Sequence, residues 1–125
     1  MIYTTNFSNF KYLPNNILPI SIDGKGPDDF KGLRYNKLQP KYEFFLKCEK
    51  DNAFDYFTKC YKEQILDKLS IYEVLSDLID IIIETGEQKE ICLVTWEPTN
   101  YSSHRHLVSE WLRNNGVKCE EWSKK

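Results

Sequence analysis

Strands alternating with helical segments predict a single small α/β domain with a short, mostly parallel sheet flanked by helices, a Rossmann-like three-layer arrangement. Three observations carry this expectation. The stretch Glu90 to Trp96 is a nearly unbroken apolar run, as expected of a central parallel strand covered on both faces. Before and after it, apolar residues recur at helical spacing. Short apolar segments bounded by Asn, Asp, Gly and Pro stand near both ends of the chain. The 125 residues suffice for one hydrophobic core, so residues 1–122 are expected to form one domain and 123–125 a tail.

Taken in order, Ile2 to Thr5 opens as a short strand. Asn6 to Asn16 is polar and interrupted by Pro14, which predicts loop or a short turn of helix. Ile17 to Ile22 forms a second strand, ended by the loop signal Asp23-Gly24-Lys25-Gly26-Pro27. Asp28 to Pro40 shows no long period and should wrap the surface, with Leu33, Tyr35 and Leu38 pointing inward. Pro40 can start a helix carrying Tyr42, Phe44, Phe45 and Leu46. A helix from about Asn52 to Leu69 follows from the spacing of Phe54, Phe57, Tyr61, Ile65, Leu66 and Leu69. Ser70 and Glu73 form a capping box that restarts a helix through Val74, Leu75, Leu78, Ile79 and Ile82. Gly86 closes it in the left-handed conformation. After the central strand, Ser102 or Ser103 caps a last helix ending at Asn114-Asn115-Gly116, and Val117 to Trp122 makes a final strand.

Composition narrows the function. A net charge of -2 argues against general nucleic-acid or membrane-surface binding, both of which need clustered positive charge. No apolar run approaches the roughly 18 residues of a membrane span. The first residues lack the basic-then-apolar order of a signal peptide. Cys48, Cys60, Cys92 and Cys119 are scattered, which reads as reduced thiols in a cytoplasmic protein, with Cys60 and Cys92 as small core residues. With only two histidines, neither a metal site nor a cofactor is expected.

The chemistry-bearing residues concentrate between Thr95 and His106, which include both histidines. In parallel α/β sheets ligands bind beyond the carboxyl ends of the strands, and that rule gathers Thr5-Asn6, Asp23 to Pro27 and Trp96 to Arg105. Ser103, His104 and Arg105 at a helix start offer backbone N–H groups, a forked donor and the positive end of a helix dipole to an anion. Glu97 and His104 are the candidate acid/base pair. Each has a structural reading beside it: Ser103 as an N-cap, Arg105 paired with Glu97 inside the protein, and His104 as a hydrogen-bonded core residue. Asp23, Lys25 and Asn6 are further candidate ligand contacts. Trp96 either stacks on a ligand ring or acts as a lid on the core.

The segments Ile2-Tyr3-Thr4, Ile20-Ser21-Ile22 with Gly24-Lys25 and Pro27, Lys31-Gly32-Leu33 with Tyr35, Leu38 and Pro40, then Glu97 and His104-Arg105-His106-Leu107-Val108 with Trp111, resemble the domain-of-unknown-function 488 family along the whole chain. That resemblance implies a compact α/β fold and no established activity. Members of the family often carry cysteine where this chain has Thr95 and Ser103, and close relatives can have one at the position of Asp23. A function resting on thiolate chemistry should therefore be lost here, whereas one using Glu97, His104 and Arg105 would survive. The leading expectation is a small protein that binds a compact anionic ligand, a nucleotide or phosphorylated metabolite, with weak hydrolase or transferase activity if it turns the ligand over. The alternative is a non-catalytic protein-interaction or regulatory protein, including one of phage or mobile-element origin.

Overall fold

The computed structural model describes residues 1–23, 30, 32–40, 54–87, 89–96 and 104–123. Its strands are β1 (Ile2–Asn6), β2 (Ile17–Ser21), β3 (Leu33–Arg34), β4 (Glu90–Thr95) and β5 (Cys119–Glu121). The described α-helices are α1 (Phe54–Gln64), α2 (Ile71–Thr85) and α3 (His104–Asn114). All strand pairings are parallel, in the order β3-β2-β4-β1-β5. The expected single α/β domain with a short parallel sheet is what the chain forms.

β4 is central, as its apolar run predicts, and its residues alternate between two cores. Ile91 and Leu93 join Ile2, Ile20 and Ile22 under α1, α2 and α3, whose Phe57, Tyr61, Val74, Leu78, Val108 and Leu112 complete that cluster. Cys92 and Val94 face the other way, onto Phe7, Ile17 and Phe30, with Phe10 and Leu13 of the β1–β2 connection packed beside them. Crossover handedness accounts for this division. The connections β3 to β4 and β4 to β5 move the same way across the sheet, so right-handed crossovers place both on one face. The β1 to β2 connection moves the opposite way and covers the other face, through a 3-10 turn at Phe10–Tyr12.

Local chemistry sets the element ends. Ser70 has extended backbone and its hydroxyl accepts from the Tyr72 N–H, which starts α2. Gly86, at φ 74°, ends it. The long helix expected from Asn52 to Leu69 is instead α1 followed by a 3-10 turn, Leu66–Lys68. A straight helix would carry Leu69 and Ser70 away from the sheet; tightening the last turn buries Ile65 and Leu66 and lets Ser70 begin α2. Leu33 is not an inward residue but 43 % exposed, because it lies in the two-residue edge strand β3, which the sequence reading missed. Tyr35 and Leu38 are buried as expected. Ile79, assigned to the apolar face of α2, is 54 % exposed. The final strand is shorter than Val117 to Trp122, since only Cys119–Glu121 pairs with β1. The helix expected after Pro40 and the Ser102 or Ser103 cap lie outside the described residues. No helix among the described residues is long and apolar enough to cross a membrane.

Candidate functional site

The strand order locates a crevice before any side chain is considered. The connection leaving β2 runs toward the β3 edge and that leaving β4 runs toward β5, so the chain diverges beyond the carboxyl ends of these adjacent strands. This is the topological switch point at which parallel α/β sheets place ligands. Asp23 follows β2 there, Trp96 follows β4, and α3 returns its first residue, His104, to the same place.

Asp23 and His104 are both buried, and the His104 Nε2 lies 3.8 Å from Asp23 Oδ1. The same Nε2 is 3.1 Å from the Ile22 carbonyl oxygen. A carbonyl only accepts, so Nε2 carries a proton there. The other carboxylate oxygen of Asp23 accepts the Trp96 backbone N–H at 2.7 Å, tying the end of β2 to the end of β4. The Ser21 hydroxyl accepts from the Asp23 N–H at 3.2 Å and so orients the turn. Behind the imidazole stand the rings of Tyr61 and Phe57 from α1, at centroid distances of 5.5 and 6.5 Å. These rings wall off one side and leave the imidazole edge toward Asp23. A carboxylate and an imidazole held this way can orient a polar ligand group or relay a proton.

Arg105 is fully buried one residue further on, and it is committed elsewhere. Its Nε donates to both carboxylate oxygens of Glu121, at 3.1 and 3.0 Å, and its Nη2 lies 3.0 Å from Oε2. Nη1 donates to the Thr95 hydroxyl at 2.8 Å, and Thr4 donates to Glu121 Oε1 at 2.7 Å. Thr4, Thr95 and Glu121 belong to three adjacent strands and point to the helix-covered face, where Arg105 joins Thr95 to Glu121 and Thr4 is linked through Glu121. The guanidinium charge is thus compensated within the protein. Glu97, the partner expected for Arg105, lies outside the described residues; the carboxylate that the structure shows on Arg105 is Glu121. Period-two alternation could have found it, since Glu121 falls on the same inward face as Cys119.

The remaining candidates separate. Asn6, one strand over on β1, is opposite Thr95, but its Oδ1 accepts the Asn9 N–H and caps its own turn. Thr5 points away from the crevice and donates to the Trp122 carbonyl at 2.9 Å. Trp96 is half exposed, with its ring centroid 5.1 Å from that of Phe7 in an edge-on aromatic cluster that includes Phe10 and Phe30. It covers the rim of the second core. Lys25 and Ser103 lie outside the described residues, as does Cys48. Among the described residues, no group of three or more His, Cys, Asp or Glu side chains is placed to hold a metal ion. Burial, and secondarily the Glu121 carboxylate, pushes the Cys92 thiol far above its ordinary pKa, so it is no nucleophile. No family model matches this chain, nor does any curated protein or solved structure.

Proposed function

We propose that the chain binds a compact ligand with an anionic group, in the class of nucleotides and phosphorylated metabolites, at the switch point between β2 and β4. One observation carries the reading: Asp23 and His104, far apart in sequence, meet as a buried carboxylate–imidazole pair where the crossovers diverge. The N-terminus of α3 ends at the same crevice and brings its positive dipole end to a bound anion. In this reading Asp23 takes the place assigned to Glu97 as the carboxylate beside His104. Arg105 positions the start of α3 through Glu121 rather than contacting the ligand. Any turnover would use His104 as the proton-transferring group, with Asp23 orienting it.

A thermal-shift titration with inorganic phosphate, AMP and ATP tests this. Binding to the folded state raises the melting temperature with ligand concentration, by about 2.7 kcal/mol of stabilisation at 100 times Kd. His104→Asn should abolish the rise while leaving a cooperative melt. No concentration-dependent rise with any of the three would reject the proposal.

A further inference from the structure

α2 has more apolar surface than the core uses. Val74 and Leu78 are buried against the sheet, and Leu75, Ile81 and Ile82 are packed partly against the same core. Tyr72, Ile79 and Ile83 continue the apolar arc into solvent, at 82, 54 and 69 % exposure. Their spacings of seven and four residues place them on one stripe of the helix. A cavity of about 290 Å³ adjoins this stripe, lined among others by Met1, Leu75, Ile79, Ile82 and Val117. Isolated exposed apolar residues are ordinary on a monomer, but a stripe bordering a cavity offers an apolar side chain somewhere to insert.

One flank of the stripe is lined by acids, with Lys37 against Glu73 and Asp77 at its start, while Lys89 lines the cavity on the other side. Each exposed apolar residue is followed directly by an acid: Tyr72 by Glu73, Ile79 by Asp80 and Ile83 by Glu84. Successive residues lie about 100° apart around a helix, so these acids form a row along one flank. Glu73 is engaged by Lys37, whereas Asp80 and Glu84 are exposed. We infer that this face of α2 docks a partner helix that is apolar on one side and carries lysine or arginine along the edge facing Asp80 and Glu84. The apolar stripe and cavity would take the partner's anchors, and the acidic row would set its orientation. A second copy of the chain, paired antiparallel along the stripe, would oppose acid to acid.

The probe is a stapled helical peptide of about four turns, with leucine at i, i+4 and i+7 and lysine along one flank. A twin peptide carries glutamate in place of lysine. Fluorescence anisotropy should show the lysine peptide binding at least about tenfold tighter than its twin at low salt, with the preference shrinking as ionic strength rises. Ile79→Ser with Ile83→Ser, both exposed positions, should weaken binding by about tenfold or more. Asp80→Lys with Glu84→Lys should reverse the preference between the peptides. Amide chemical shifts should move on α2. Equal binding of the two peptides, no binding of the lysine peptide, or a dimer of the chain alone that Ile79→Ser disperses would overturn the inference.

Discussion

Arg105→Met tests the interior of the candidate site more sharply than a change at its surface. Methionine retains much of the apolar stem and removes the guanidinium, which reaches the Glu121 carboxylate through two nitrogens and Thr95 through a third. Breaking a buried ion pair costs about 3–5 kcal/mol, most of it the penalty on the charge left behind. The two partners are unequally buried: Arg105 is 0 % exposed, whereas the Glu121 side chain is 29 % exposed and keeps its bond from Thr4. A Glu121 left without Arg105 can therefore rehydrate in part, whereas Arg105, shut off from water, cannot. Arg105→Met should fall near the lower limit, about 3 kcal/mol, and Glu121→Ala near the upper, about 5 kcal/mol. The double variant Arg105→Met with Glu121→Leu removes both charges and should return to within about 1–2 kcal/mol of the parent. Urea unfolding measures this as a shift in midpoint at constant slope. If both single variants lose less than about 1 kcal/mol, or if Arg105→Met is the costlier, the pair does not hold the site as argued. A stable Arg105→Met protein that no longer responds to phosphate would move Arg105 from positioning α3 to contacting the ligand.

Cys92 should resist iodoacetamide in the folded protein at about pH 8 and react once the chain is unfolded in urea, because burial keeps its thiol protonated; peptide mass spectrometry that finds equal labelling in both states would contradict this. Asp77 accepts from the Tyr35 hydroxyl at 2.6 Å and lies 2.9 Å from Lys37 Nζ, and these contacts hold its carboxyl below the ordinary 3.8. Its contribution is therefore present above that unfolded value and lost as pH falls through the lower folded one. Asp77→Asn should cost about 0.5–1 kcal/mol at neutral pH and nothing in strong acid, measured as urea midpoints across the acid range. Gly86→Ala should lower stability by about 1 kcal/mol through backbone strain alone, since φ is 74° and no atom stands within 4 Å of the added Cβ; an unchanged thermal melt would show that the helix end relaxes freely.

Local order was written legibly into the chain. The apolar run at Ile91–Val94 fits a strand covered on both faces, and the centre of the parallel sheet supplies that. Ser70 and Gly86 marked the ends of α2 because capping chemistry acts within a few residues. The rule that ligands bind at strand carboxyl ends brought Asp23, Trp96 and His104 together in advance, and they do meet beyond the ends of β2 and β4. Other features were too weak locally to read. β3 is two residues long and exists because β2 offers an edge to pair with, and Leu33 is exposed for that reason.

Partners were decided by the tertiary structure. Arg105 meets Glu121 because the right-handed return through α3 lays β5 against β1 with Glu121 opposite Thr4; Glu97, the neighbour expected from the sequence, lies outside the described residues. The same geometry brings Asp23 to His104. Periodicity shows which face of an element is buried; strand order determines which charges from separate elements meet there, because it depends on pairing and handedness over the whole sheet.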